Sequence, residues 1–153
     1  MVDLTPSCSQ QSLRGRKSAY YYKMEITEKE KVTDTEIGEL RTKVGWDYDP
    51  GKYDRILKGV NTYFIARENE KLIGFVSVIS DGAAAAFLVD LMVHPDYQKQ
   101  GLGKELVHRV VKYSKSIGVH VTFNQTEEEF YRKCGFHIFS GGIIDFKTMN
   151  VDL

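Results

Sequence analysis

The 153-residue chain has little cysteine, proline or tryptophan: two, three and one residues respectively. Cys8 and Cys134 lie far apart, and the first stands in a polar leader, so neither a disulfide framework nor a cysteine-rich zinc site is indicated. A reducing, cytoplasmic setting is the expectation. An excess of one charge is also lacking, since Lys plus Arg number 21 and Asp plus Glu number 21. That balance supplies no basic field for nucleic acid or an anionic membrane, and neither is expected as a partner. No apolar run approaches the roughly 18 to 20 residues of a membrane span, and the first 19 residues lack the apolar stretch of a signal peptide. His94, His108, His120 and His137 are scattered without metal-ligand spacing, so no metal is implied.

Hydrophobic periodicity organises the rest. Residues 1–19 are polar and aperiodic, and read as a flexible leader or a remnant of cloning ahead of a single domain over 20–153. Tyr20, Tyr22, Met24 and Ile26 alternate with polar neighbours as a strand does. Thr33 and Glu36 form a capping box before a helix carrying Ile37, Leu40 and Val44, and Asp49-Pro50 starts a second helix with Tyr53, Ile56 and Leu57. Two β-rich runs, 61–67 and 71–80, flank Glu68-Asn69-Glu70 as a hairpin, and Asp81-Gly82 turns the chain into the run Phe87 to Val93. The alanines at 83–86 are odd for a strand entry. Leu102, Leu106, Val110, Tyr113 and Ile117 mark one face of a helix that ends before the strand Val119 to Phe123. Thr126 and Glu129 would cap a short helix running through Cys134, and two last strands are expected over Phe136 to Phe139 and Ile143 to Met149.

Between the Phe87 to Val93 run and the long helix lies Gln98-Lys99-Gln100-Gly101-Leu102-Gly103-Lys104. Glycines at a helix start gather unpaired backbone amides where the helix dipole adds positive potential, which makes an anion cradle. A P-loop is absent, and the third glycine of a dinucleotide fingerprint is replaced by Leu106. What remains is Gln98-x-x-Gly101-x-Gly103 after a strand ending Val93-His94-Pro95, with Asn124 and, seven residues later, Tyr131 in a second block ending Cys134-Gly135-Phe136. Together these resemble the two coenzyme-binding segments of the GNAT superfamily of acetyl-CoA-dependent N-acetyltransferases. Glu127 departs from the family, which usually has alanine there.

The resemblance implies an α/β fold: a mixed, mostly antiparallel sheet of about seven strands, splayed at one parallel pair and flanked by about four helices. It implies acetyl-CoA as co-substrate, with its pyrophosphate on Gln98, Lys99, Gln100, Gly101, Leu102, Gly103 and Lys104. Pantetheine would pair with backbone at Leu91, Met92 and Val93, and Asn124 and Tyr131 would complete the coenzyme site. It implies direct acetyl transfer to a primary amine in a ternary complex, with Tyr131 as the acid that protonates the departing thiolate. Asp90 is the lone acid of an apolar strand, and burial of a carboxylate wants a partner. It reads either as the base or as a structural carboxylate. Family members select acceptors on the first two helices and their loop, here Trp46, Asp47 and Tyr48, where aromatics and acids suit a cationic amine. A small-molecule amine is the expected acceptor, with a protein amino group or a catalytically idle coenzyme-binding module as alternatives. Homodimers are frequent in the family.

Overall fold

Strand β1 (Met24–Glu28) opens the residues described by the computed structural model, which are 24–115 and 117–140. The chain divides into two units, one ending at Thr122 and one beginning at Phe123. In the first, β1 is followed by α1 (Asp34–Lys43), α2 (Lys52–Gly59), β2 (Thr62–Glu68), β3 (Lys71–Ser80), β4 (Ala85–Val93), α3 (Leu102–Ser114) and β5 (Gly118–Val121). The five strands lie in sequence order in one sheet, antiparallel throughout except for the parallel pair β4 and β5. The second unit holds a 3-10 turn over Gln125–Glu127 and α4 (Glu128–Lys133).

Local chemistry accounts for the element ends. The Thr33 side chain accepts the Glu36 amide at 3.2 Å, and Glu36 accepts the Thr33 amide at 2.8 Å, the reciprocal pair that starts α1. Asn69 turns the β2–β3 hairpin with a φ of 53°. Asp81 accounts for the alanines: its Oδ1 accepts the amides of Ala83, Ala84 and Ala85 at 2.9, 2.8 and 3.1 Å. Such a tight wrap suits small side chains, and only Ala85 and Ala86 belong to β4.

Both faces of β3 are covered, which is why its sequence is nearly continuous in apolar residues. On one side Ile37 and Leu40 of α1 and Tyr53 of α2 pack with Ile65, Phe75 and Met92. On the other, α3 approaches closely at Gly74, where an added Cβ would lie 3.0 Å from Leu106 Cδ1 and 3.1 Å from Ala66 Cβ. Leu102, the first residue of α3, is buried beside the same glycine, so the helix start is fixed to the sheet.

Several expectations need correction. The sheet has five strands among the described residues rather than about seven. Phe136 to Phe139 form none, because the Phe136 amide is bonded to the Tyr131 carbonyl at 3.1 Å and Gly135, at a φ of 94°, completes a helix-ending turn. The leader at 1–19, the start of the Tyr20 strand and the Ile143 to Met149 strand lie outside the described residues. Thr126 and Glu129 do not cap α4, whose start at Glu127 carries no side-chain cap; the capping box closes the 3-10 turn before it, where Glu127 accepts the Asn124 amide at 3.0 Å. Tyr113 is not a core residue of α3, whose buried face is Leu102, Leu106, Val107, Val110 and Ser114.

Candidate active site

The cradle forms as its sequence suggests. A 3-10 turn over Pro95–Tyr97 leads to Lys99 at a φ of 58° and Gly101 at 92°. Gly101 precedes α3 without capping it through a side chain, and the amides of Leu102, Gly103 and Lys104 find no acceptor among the described residues. Side chains brace the loop from outside: Gln98 Nε2 donates to the Val93 carbonyl at 3.0 Å and Gln100 Nε2 to the Asp96 carbonyl at 2.8 Å. Tyr97 donates to Glu68, and Lys71 lies 5.5 Å over its ring. The buried His94 Nδ1 accepts the Asp96 amide at 3.3 Å, and burial, with Lys71 adding to it, holds its imidazole below the ordinary value of 6.5.

β4 carries the next component. Its pairing with β5 runs only from Ala85↔Gly118 to Leu88↔Val121, so beyond Leu88 its backbone has no strand on that side among the described residues. Leu91, Met92 and Val93 lie on this free stretch; the Met92 side chain is buried in the core, which leaves its backbone as the part available to a ligand. Opposite β3 the register passes from Ser77↔Val89 to Phe75↔Met92, so Asp90 and Leu91 together face Val76. This is a β-bulge, and Asp90 sits in it at a φ of 52°. A left-handed non-glycine residue costs roughly 1 to 3 kcal/mol and persists where its surroundings demand it.

The bulged carboxylate meets two side chains from the helices. Tyr53 donates to Asp90 Oδ2 at 3.0 Å, and Arg41 Nη1 lies 3.4 Å from Oδ1 and 3.0 Å from the Tyr53 hydroxyl. Burial, then the Asp90 charge, push the Tyr53 phenol up to about 12. Arg41 also lies 5.0 Å over Trp46 and donates through Nε to the Asp47 carbonyl. Arg41, Gly45, Trp46, Asp47 and Asp90 line an open cleft of about 490 Å³. Trp46 and Asp47 are thus brought beside Asp90, whereas Tyr48 packs its ring over Gly38 and donates its hydroxyl to Asp34. Arg41 and Tyr53 were not legible as site residues. The signal was Asp90 itself, a half-buried acid needing a cation or donor from a facing helix.

In the second unit, Tyr131 is 6% exposed, its ring held among Phe123, Phe130 and Phe136 with centroids 5.0, 5.0 and 5.5 Å away. Tyr48, Tyr53, Tyr63 and Tyr97 all donate to a protein acceptor. The Tyr131 hydroxyl has no hydrogen-bond partner among the described residues, yet no enclosed side-chain polar atom is left unpaired there, so its oxygen reaches the surface. Burial above all, then the charges of Glu127 and Cys134, hold the phenol well above the ordinary value of 10.0. It stays protonated through neutral pH. Asn124 starts the 3-10 turn and its exposed backbone is engaged by Glu127, whose amide donates to the Asn124 carbonyl at 2.8 Å.

A sequence profile described as the Acetyltransferase (GNAT) family matches residues 26–136. The chain belongs to the GNAT acetyltransferase family. Among its relatives is the uncharacterized N-acetyltransferase ycf52 of Pyropia yezoensis, 30% identical over 66% of this GNAT chain and 63% of that protein. Histone acetyltransferase TAP1 of Glycine max is 33% identical over 72% of this chain and 55% of its own length. The GNAT family protein SP0256 of Streptococcus pneumoniae TIGR4 superposes with a TM-score of 0.71 at 26% identity, covering 82% of this chain and 99% of that one. This GNAT chain therefore spans 63% and 55% of the length of the two curated relatives. Acetyl-CoA is the family's co-substrate, and the unmet amides of Leu102 to Lys104 fit a diphosphate. No cluster of three metal-binding side chains occurs among the described residues, nor is any helix there long and apolar enough to cross a membrane.

Proposed function

We propose that this protein is an acetyl-CoA-dependent N-acetyltransferase that moves the acetyl group directly to a primary amine in a ternary complex. The observation that carries the reading is Tyr131: a caged, protonated phenol whose hydroxyl is engaged by no protein group among the described residues. The family profile runs from 26 to 136, which supports reading 20–153 as one acetyltransferase domain.

The coenzyme supplies the acetyl thioester when bound. Backbone amides from Lys99 to Lys104 would hold its diphosphate, with Gln98 bracing the loop, its own amide bonded to the Pro95 carbonyl at 3.2 Å; the free stretch of β4 at Leu91, Met92 and Val93 would pair with its pantetheine arm, and Asn124 would add a contact. Transfer needs a neutral amine, relief of charge on the carbonyl oxygen and a proton for the leaving sulfur. Asp90 takes the ammonium proton, directly or through water. A backbone amide at Leu91 or its neighbour serves the oxygen. Tyr131 gives the sulfur its proton and is left as phenolate until solvent reprotonates it; with an ordinary pKa of about 10 the phenol still carries that proton at neutral pH, where the thiolate forms.

The cleft beside Asp90, at about 490 Å³, suits a small-molecule amine, with Trp46 and Asp47 as walls; Tyr48, held on Gly38 and Asp34, would act on the acceptor only through the loop it anchors. A protein amino group is the second reading, favoured by the name of the soybean relative. A cytoplasmic homodimer completes the reading; recovery of the protein in plastids, the compartment named for an Arabidopsis relative, would replace that location. The test is thiol release from acetyl-CoA with spermidine, tryptamine, glucosamine 6-phosphate and a histone-tail peptide. Turnover with a small amine supports the first reading, turnover with the peptide alone supports the second, and coenzyme binding without any turnover makes the chain an idle module.

A further inference from the structure

Asp90 is held by two side chains that the transfer steps above do not use. They come from different elements: Arg41 from the last turn of α1 and Tyr53 from the first turn of α2. Both are distant in sequence from β4, and among the described residues no other side chain bonds the carboxylate.

We propose that Arg41 and Tyr53 are positioning residues that fix the Asp90 carboxylate toward the acceptor cleft. The proposal rests on the reading of Asp90 as the group that takes the amine proton. Each Asp90 oxygen has its own tether, Oδ2 to the Tyr53 hydroxyl at 3.0 Å and Oδ1 to Arg41 Nη1 at 3.4 Å. Because Arg41 Nη1 also donates to the Tyr53 oxygen at 3.0 Å, the single phenolic hydrogen is directed to Asp90. The Tyr53 ring is fully buried, edge-on to Phe75 at 5.8 Å, so its hydroxyl is anchored. Arg41 is anchored in turn by the Asp47 carbonyl and the Trp46 ring. The charged and titratable groups around Asp90 are thus Arg41 from α1, the neutral phenol of Tyr53 from α2, and Asp47 from the intervening loop in the same cleft.

Core packing alone does not account for this pair. Phenylalanine would fill the space of the Tyr53 ring, and an arginine at the end of α1 would complement the helix dipole equally well pointing to water. A carboxylate has about four acceptor positions. The two tethers occupy some of these and leave others for the cleft, where an amine would lie against Trp46 and Asp47.

The test uses Tyr53→Phe, Arg41→Lys, Arg41→Met and Asp90→Asn in the full chain. Steady-state kinetics with acetyl-CoA and the best amine of spermidine, tryptamine and glucosamine 6-phosphate is read beside a crystal structure of Tyr53→Phe. The expected result is a kcat lowered roughly tenfold to a hundredfold in Tyr53→Phe and Arg41→Met, with KM for acetyl-CoA unchanged and Arg41→Lys intermediate. In the crystal the Asp90 carboxylate should leave its single position. Tyr53→Phe with the carboxylate in place and kcat within twofold of wild type, while Asp90→Asn is inactive, overturns the positioning role alone. Wild-type kcat in Asp90→Asn overturns the proton-acceptor reading and this inference with it. Should none of the three amines turn over, the position of the carboxylate in the crystal decides.

Discussion

Replacing Tyr131 by phenylalanine separates chemistry from stability more cleanly than any other change in this chain. The hydroxyl makes no hydrogen bond among the described residues, whereas its ring keeps contacts at 5.0, 5.0 and 5.5 Å with Phe123, Phe130 and Phe136. A typical hydrogen bond contributes about 0.5–1.5 kcal/mol, and none is lost, so the change in stability should stay below about 0.5 kcal/mol. Loss of a general acid lowers kcat by about 10² to 10⁴, which is roughly 3 to 5 kcal/mol of barrier. Because burial keeps the phenol protonated above its ordinary value of 10.0, the deficit should be constant from neutral pH into the alkaline range. The assay is thiol release from acetyl-CoA, run beside a thermal melt. An undiminished kcat would remove Tyr131 as the acid, and a fall in kcat accompanied by a large drop in Tm would assign its effect to folding.

Other changes probe the supports of the site. Gly74→Val should lower stability by about 1–3 kcal/mol through overpacking, since even a Cβ would lie 3.0 Å from Leu106 Cδ1; a wild-type Tm would contradict the tight seat of α3. His94 is neutral when folded, its pKa held below 6.5, so its effect on stability is absent above that value and becomes a penalty as pH falls from 6.5 toward the folded pKa, where the unfolded chain binds the proton first. Denaturant titrations of wild type and His94→Asn should show that slope in the former and a flatter one in the latter; equal slopes would refute it. Trp46→Ala with Asp47→Ala should raise KM for the acceptor while leaving acetyl-CoA affinity intact, and an unchanged acceptor KM would discard these residues as the cleft's selective walls.

Local signals were legible in the sequence and long-range ones were not. The Thr33–Glu36 capping box, the hairpin at Asn69 and the glycine-led start of α3 are contacts within a few residues, and each appears where the pattern places it. The bulge at Asp90 leaves no such trace, because alternation along one strand does not reveal a mismatch with its neighbour β3. Nor does the convergence of Arg41 and Tyr53 on Asp90, separated by 49 and 37 positions. Competing caps misled the reading of the last helix: Glu127 took the amide of Asn124, and the turn after α4 took the Phe136 amide that a strand would have needed.

Acetyl transfer with Tyr131 as the acid requires that the coenzyme first be held by the amides at the start of α3. Titration calorimetry of acetyl-CoA into the wild-type protein and into Gly101→Val tests it directly, because valine resists the left-handed backbone, φ 92°, that Gly101 adopts there. The account predicts saturable one-to-one binding by the wild type and a loss of at least tenfold in affinity for the folded variant. No association of acetyl-CoA with the wild-type chain, or equal affinity in both, would contradict it.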